Sequence, residues 1–347
     1  MNLLDSVKTI EAVEHYLRRP CVSYDEYVSE LSVLVGKLQE VISETKLRDL
    51  INKKLQIKLS SFEESQFIQV ACELTVMNEF LGRDGILFEY EKKVTPPKDV
   101  DFSISVDSIS YNVEVKCPSF KEINNNDGEV KLYFPSRVSS LEEKRKLIQP
   151  IKCILEENGK SLSEVKSLDN TMKDFLKSTQ SKVSESPLTN VNILVIGCDD
   201  EVNMHEWREY LVGYNGFFTN HSFIAHSEFD RVDYVLLTNM YNRHHKYYEQ
   251  TRIDRHWHLS SCFNLLYSNK FSLRNQNVIA SIDLKKMNSL FPNHNIEFEK
   301  YLSDETDVPD GESHEMKTSA LGVAWFADKF KKDGIYYFKP INGAFNK

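Results

Sequence analysis

Two runs of β-forming residues, Val100 to Val106 and Ile109 to Lys116, are separated only by Asp107-Ser108, and that spacing predicts a tight antiparallel hairpin. Side chains two apart on a strand share a face, so Glu114 and Lys116 project together while Tyr111, Val113 and Val115 point the other way. The turn brings the chain back on itself, which carries Asp101 toward Glu114. A carboxylate and an ammonium then share one pocket, and two carboxylates can bind one hard cation.

The 347 residues are long enough for a sizeable core, and the length suggests one large domain with appendages or two modest domains. A hydrophobic content of 41% and a charged content of 27% are those of a folded globular chain. No apolar run approaches the ~18 to 20 residues that cross a bilayer. The start, Met1-Asn-Leu-Leu-Asp-Ser, has neither a basic n-region nor a long apolar h-region, so a cytoplasmic protein without membrane association is expected. The six cysteines, at 21, 72, 117, 153, 198 and 262, form no Cys-x-x-Cys pair and read as free thiols. A net charge of −9 argues against coating nucleic acid through bulk attraction, but a local basic surface would still allow contact.

Along the chain, residues 3 to 18 and about 24 to 58 carry apolar positions at helical spacing, among them Leu31, Val35, Leu38, Val41 and Ile42. Ser61 followed by Glu64 resembles a capping box opening a helix to about Leu81, with Phe67, Val70, Ala71, Leu74, Met77 and Leu81 as its buried stripe. Ile86 to Val94 reads as a first strand, and Pro96-Pro97 marks the turn toward Asp101. After Pro118 come a polar loop, Asn124 to Gly128, and charged helical sequence from about Ser139 to Lys182. Val191 to Gly197 and Val232 to Thr238 read as buried strands, with helical sequence from His205 to Leu211 between them. The expected class is α/β: a central mixed sheet flanked by helices, with a helical N-terminal element over 1–60, a core over 61–282 and an extension over 283–347.

Hydrolysis of a phosphodiester needs an activated water, positive charge on the phosphoryl oxygens and help for the leaving oxygen, and a carboxylate-held divalent metal supplies most of this. In that chemistry Asp101 and Glu114 would bind the metal, and Lys116 would lie beside the attacking water and the phosphate. The run Gln66-Phe-Ile-Gln-Val-Ala-Cys-Glu73-Leu, a strand, Asp101-Phe and Glu114-Val-Lys116, in that order and spacing, resembles the PD-(D/E)xK nuclease superfamily over roughly residues 62 to 240. The resemblance implies a restriction-endonuclease-like fold and a Mg²⁺-dependent nuclease, with Mn²⁺ as a substitute. It matches Asp101 and Glu114 to the metal-binding acids, Lys116 to the catalytic lysine and Glu73 to the auxiliary helix acid. It further implies DNA as the substrate, a 5′-phosphate product and, by fold-level analogy, a setting in restriction or phage defence, as a homodimer or with a partner protein. Val100 stands where the superfamily pattern has proline, and Asp99 would take the acidic role if the strand register slipped by two. Glu64 and Gln69 share the helix with Glu73 and could replace it.

A second concentration of cations and aromatics, Arg243 to His258, suggests phosphate contacts by Arg243, Lys246, Arg252 and Arg255, with the alternative of a solvated segment packing a few aromatics on the core. His256, His258 and Cys262 lack a fourth zinc ligand at a recognisable spacing. Lys144-Arg145-Lys146 reads as an exposed helix face and Cys117 as packing. Two rival readings stay open: a catalytically inactive nuclease-like subunit that binds nucleic acid or assembles with partners, and an interaction protein that never meets nucleic acid.

Overall fold

The computed structural model describes residues 3–118, 129–132, 141–164, 168–198, 201–213, 215–249, 253–276, 286–295, 297 and 300. The chain divides into two compact units, Met1–Pro118 with Phe175–Lys347, and Ser119–Asp174. The second unit falls within the span 61–282, and the N-terminal helices belong to the same unit as the sheet.

In chain order the elements are α1 (Leu3–Val7), α2 (Tyr24–Gln39), α3 (Glu44–Asp49), α4 (Glu64–Asn78), β1 (Leu87–Tyr90), β2 (Phe102–Val106), β3 (Ile109–Lys116), β4 (Glu129–Leu132), α5 (Leu141–Glu157), β5 (Ser161–Glu164), α6 (Leu168–Val183), β6 (Val191–Gly197), α7 (Glu201–Val212), β7 (Tyr234–Thr238), α8 (Met240–His244) and β8 (Asn264–Ser268). The first unit holds a six-stranded sheet in the order β1-β2-β3-β6-β7-β8. β1, β2 and β3 run antiparallel, β3, β6 and β7 run parallel, and β8 closes the far side antiparallel to β7. This is an α/β architecture with a mixed sheet flanked by helices. Every residue of β6 and β7 is buried, which is why these strands read as predominantly apolar runs, as central parallel strands do. In the second unit β4 pairs parallel with β5.

The hairpin forms where expected. Phe102 pairs with Val113 and Val106 with Ile109. Asp107 and Ser108 both take positive φ, 48° and 67°, as a two-residue hairpin turn of primed type requires. Continuing the pairing outward by one residue sets Asp101 opposite Glu114, and Asp99 lies beyond it, so no slip of register occurs.

Four expectations are corrected. The helical sequence over 24–58 is broken between Gln39 and Glu44 and ends in a π-helical turn, Leu50–Lys54, and that over 139–182 is interrupted by β5. No capping box opens α4: its N-cap is Glu63, without a side-chain cap bond. Gln56 takes that place from a distance, donating to the Glu63 carbonyl at 2.8 Å and accepting from the Glu63 N–H at 2.7 Å. The first strand is also shorter than 86–94, spanning four residues.

Tyr27 of α2 ties the N-terminal helices into the sheet unit. Its ring stacks on Tyr247 with centroids 3.6 Å apart, and its hydroxyl meets His244 Nδ1 at 2.9 Å. Its backbone carbonyl accepts from the Trp257 indole, also at 2.9 Å. The expected Asn124–Gly128 loop and most of the 283–347 extension lie outside the described residues.

Candidate active site

Alternation along β3 places Asn112, Glu114 and Lys116 on one face. Asn112 lies in a buried amide ladder, accepting from Ser103 Oγ at 2.6 Å and donating to Asn192 Oδ1 at 2.8 Å and to Ser186 Oγ at 3.1 Å. One pleat further on, Glu114 is fully buried and Lys116 is 25% exposed, their charges 2.6 Å apart. Asp101 closes the group: its Oδ2 accepts from the backbone N–H of Val115 at 2.6 Å, which fixes the carboxylate beside Glu114. The sheet thus brings Asp101, Glu114 and Lys116 together.

Helix α4 supplies the fourth expected residue. Gln69 clamps the helix to the end of β3, donating to the Val115 carbonyl at 2.8 Å and accepting from Cys117 N–H at 2.7 Å. The same amide donates to Glu73 Oε1 at 2.9 Å, which positions Glu73 against the strand end. Glu64, the other acid of this helix, lies nine residues earlier, about 13 Å along the axis. It hydrogen-bonds Tyr16 and pairs with His245, so the helix acid of the group is Glu73. Cys117 packs as expected: its Sγ and that of Cys72 lie 2.9 Å and 3.4 Å from the position a Cβ on Gly197 would occupy.

Two cations of this group were not singled out in the sequence. Lys182, near the end of α6, puts its ammonium 2.7 Å from Glu114 Oε1. Lys54, from the π-helical turn, donates to Tyr90 Oη at 3.0 Å and to Glu91 Oε1 at 2.9 Å, and its charge acts on Glu73. Neither has a local signature, because each meets its partner through a chain separation of tens of residues.

Burial dominates the electrostatics. It pushes the Asp101 carboxyl well above the usual carboxylate range, and the charges of Glu73 and Glu114 push the same way against the Val115 N–H and Lys182. Burial likewise raises Glu73, opposed first by Lys54 and then by the Gln69 hydrogen bond. For Lys116 burial works downward, yet Glu114, with Asp101 and Glu73 adding to it, holds the ammonium above its ordinary value. Lys54 is raised too, desolvation being overcome by Tyr90 and Glu73.

The donor set suits a hard cation in one respect and is sparse in another. Glu114 Oε2 is buried with no hydrogen-bond partner, and carboxylate oxygens are what Mg²⁺ takes as ligands while keeping several waters. Among the described residues, however, no group of three or more His, Cys, Asp or Glu side chains is arranged to hold a metal ion. Asp101 and Glu114 would hold such an ion as a pair, with waters and substrate oxygens completing the shell.

In the second expected surface the described cations differ in exposure. Arg243 is buried and donates through Nη2 to the Asp254 carbonyl at 2.5 Å. Lys246 is half-buried, and its backbone N–H donates to Tyr16 Oη at 3.0 Å. Of the three described cations Arg255 is exposed, and Arg252 lies outside the described residues. The segment packs inward because Tyr27 and Trp257 draw it onto α2, and a cation-rich run becomes an aromatic core. His256 is buried in this core and pushed down to about 3, first by desolvation and then by Arg243. His256, His258 and Cys262 are not gathered as ligands; the Cys262 thiol donates to the His258 carbonyl at 3.4 Å. Arg145 and Lys146 are exposed on α5, as expected.

Comparison with protein-family models, with curated proteins and with solved structures gives no match. No helix among the described residues is long and apolar enough to cross a membrane.

Proposed function

We propose that this chain is a divalent-metal-dependent nuclease of restriction-endonuclease-like fold that hydrolyses phosphodiester bonds in DNA, with Asp101, Glu114 and Lys116 at its centre. The observation that carries the reading is the convergence of these three groups at the C-terminal end of β3, with Asp101 locked by the Val115 N–H and Lys116 by Glu114. Asp101 and Glu114 are the residues that would hold the cation, which when bound supplies Lewis-acid activation of water and charge for the phosphoryl oxygens. Lys116 is kept protonated by Glu114 and offers a fixed positive charge to the oxygens on which negative charge develops. Gln69 orients Glu73, and Glu73 with Lys54 shapes the field on the helix side of the pocket. Restriction or phage defence is the setting proposed by analogy, with a second copy or a partner protein supplying target recognition.

The test is a Mg²⁺ and Mn²⁺ titration of cleavage on plasmid, linear and single-stranded DNA, comparing wild type with Glu114→Gln. Metal-dependent cleavage lost in a folded Glu114→Gln supports the reading. Cleavage that survives the substitution would remove Glu114 from the centre.

One observation favours a second reading, in which the scaffold binds nucleic acid or assembles with partners without cutting: Glu114 is already neutralised by two lysines. That reading wins if the protein shifts DNA in a gel while no metal elicits cleavage and Asp101→Ala leaves the binding unchanged.

A further inference from the structure

Glu114 Oε1 receives two ammonium groups, Lys116 at 2.6 Å and Lys182 at 2.7 Å, while Oε2 of the same buried carboxylate has no hydrogen-bond partner. One carboxylate carries one negative charge, so two ammoniums exceed what Glu114 alone requires, and both also act on its neighbours: Lys116 on Asp101 and Glu73, and Lys182 on Asp101. The two lysines differ in how they are held. Lys116 sits within β3, whose end is clamped to α4 through Gln69. Lys182 reaches in from the end of α6 on a four-carbon stem, a compact charge whose rotamers can carry it to solvent. Its side chain is 22% exposed, so an exit exists. A divalent cation bound to Glu114 would lie within a few ångströms of both ammoniums, and like charges at that distance repel strongly in a partly desolvated pocket. The two side chains are similarly exposed, 25% and 22%, so the difference lies in the backbone: Lys182, one residue before the end of α6, is the one that yields.

We propose that Lys182 is an exchangeable counter-ion that competes with the divalent metal for Glu114 and thereby sets the metal concentration at which the centre loads. The inference rests on the metal-centre reading above. It makes Lys182 a positioning residue that acts through Glu114.

The experiment uses the full chain and Mn²⁺ as probe, following the free-ion signal by electron paramagnetic resonance in wild type, Lys182→Met, Lys182→Gln and Lys182→Arg, each checked for folding by thermal melting. Both neutral variants should bind Mn²⁺ about tenfold more tightly than wild type, the scale of one lost charge contact in a partly buried site. Lys182→Arg should stay near wild type. Lys177→Met is the control, since Lys177 lies on the same helix but pairs with Glu228 at 2.7 Å, with both side chains more than 40% exposed; it should leave the affinity unchanged. A lysine that merely braced the fold would give weaker binding when removed. Unchanged or weaker Mn²⁺ affinity in folded Lys182→Met, or equal tightening in Lys177→Met, overturns the proposal alone. Absence of Mn²⁺ binding in wild type and neutral variants alike overturns the metal centre and this inference with it.

Discussion

The C-terminal end of β3 and the segment from Arg243 to His258 are two places where the chain concentrates ionisable residues, and folding pairs the charges of one and packs the other into an aromatic core. At β3 the sheet gathers Asp101, Glu114 and Lys116, and although burial favours the neutral form of Asp101, Glu114 keeps ion pairs with Lys116 and Lys182. In the Arg243–His258 segment burial also favours the neutral form, but without an ion pair: His256 is held neutral, and His244 is pushed well below its ordinary value while it bridges Thr75 and Tyr27. A cluster of charged residue types is thus not evidence of a site. What separates the two is whether the buried charges face one another around a shared space or are neutralised singly into packing.

The contrast can be broken by substitution. Tyr27→Ala should have the largest effect, because it removes a fully buried ring from the aromatic cluster and leaves His244 Nδ1 without its partner. A loss of about 3 to 5 kcal/mol is expected in urea unfolding. A loss under 1 kcal/mol would mean that the N-terminal helices are not part of the core. Lys116→Met should leave the fold nearly intact and lower cleavage by about a hundredfold or more, the scale of one lost electrostatic contact to a developing oxyanion. Activity within a few-fold of wild type would transfer the role to another cation.

The two regions also predict opposite pH limbs, measured on the metal-free protein. Asp101 has a raised folded-state pKa, so its contribution to stability is complete below the ordinary carboxylate value of about 4 and is lost as pH rises toward the folded value. Asp101→Asn should flatten that loss, and at pH 8 the variant should melt higher than wild type while cutting nothing. His256, lowered to about 3, contributes stability that is complete above about 6.5 and lost as pH falls toward 3. His256→Gln should remove up to roughly 1.4 kcal/mol per pH unit of slope between those limits. Slopes identical to wild type in both variants would show that neither group carries the linkage. The smallest effect is expected at the exposed Arg255, where Arg255→Ala should change stability by less than about 0.5 kcal/mol. An appreciable loss of DNA affinity there would restore a nucleic-acid role to the segment.

The sequence alone determined the hairpin, the shared face of Glu114 and Lys116 and the buried runs of β6 and β7, because these depend on the two-residue strand period and on local apolar composition. It misjudged what depends on distant partners. Ser61 resembles a cap, but Gln56 satisfies the Glu63 backbone instead. β8 passed unrecognised among the residues that follow the cation-rich segment, and its place at the sheet edge is set by pairing with β7. Arg243 looked solvated, but its segment is drawn inward by α2 through contacts more than 200 residues apart in the chain. Only the tertiary structure brought Lys182 and Lys54 to the acidic group and chose Glu73 over Glu64. Periodicity fixes which way a side chain points from its own strand or helix, whereas the neighbour it meets there depends on how separate elements pack.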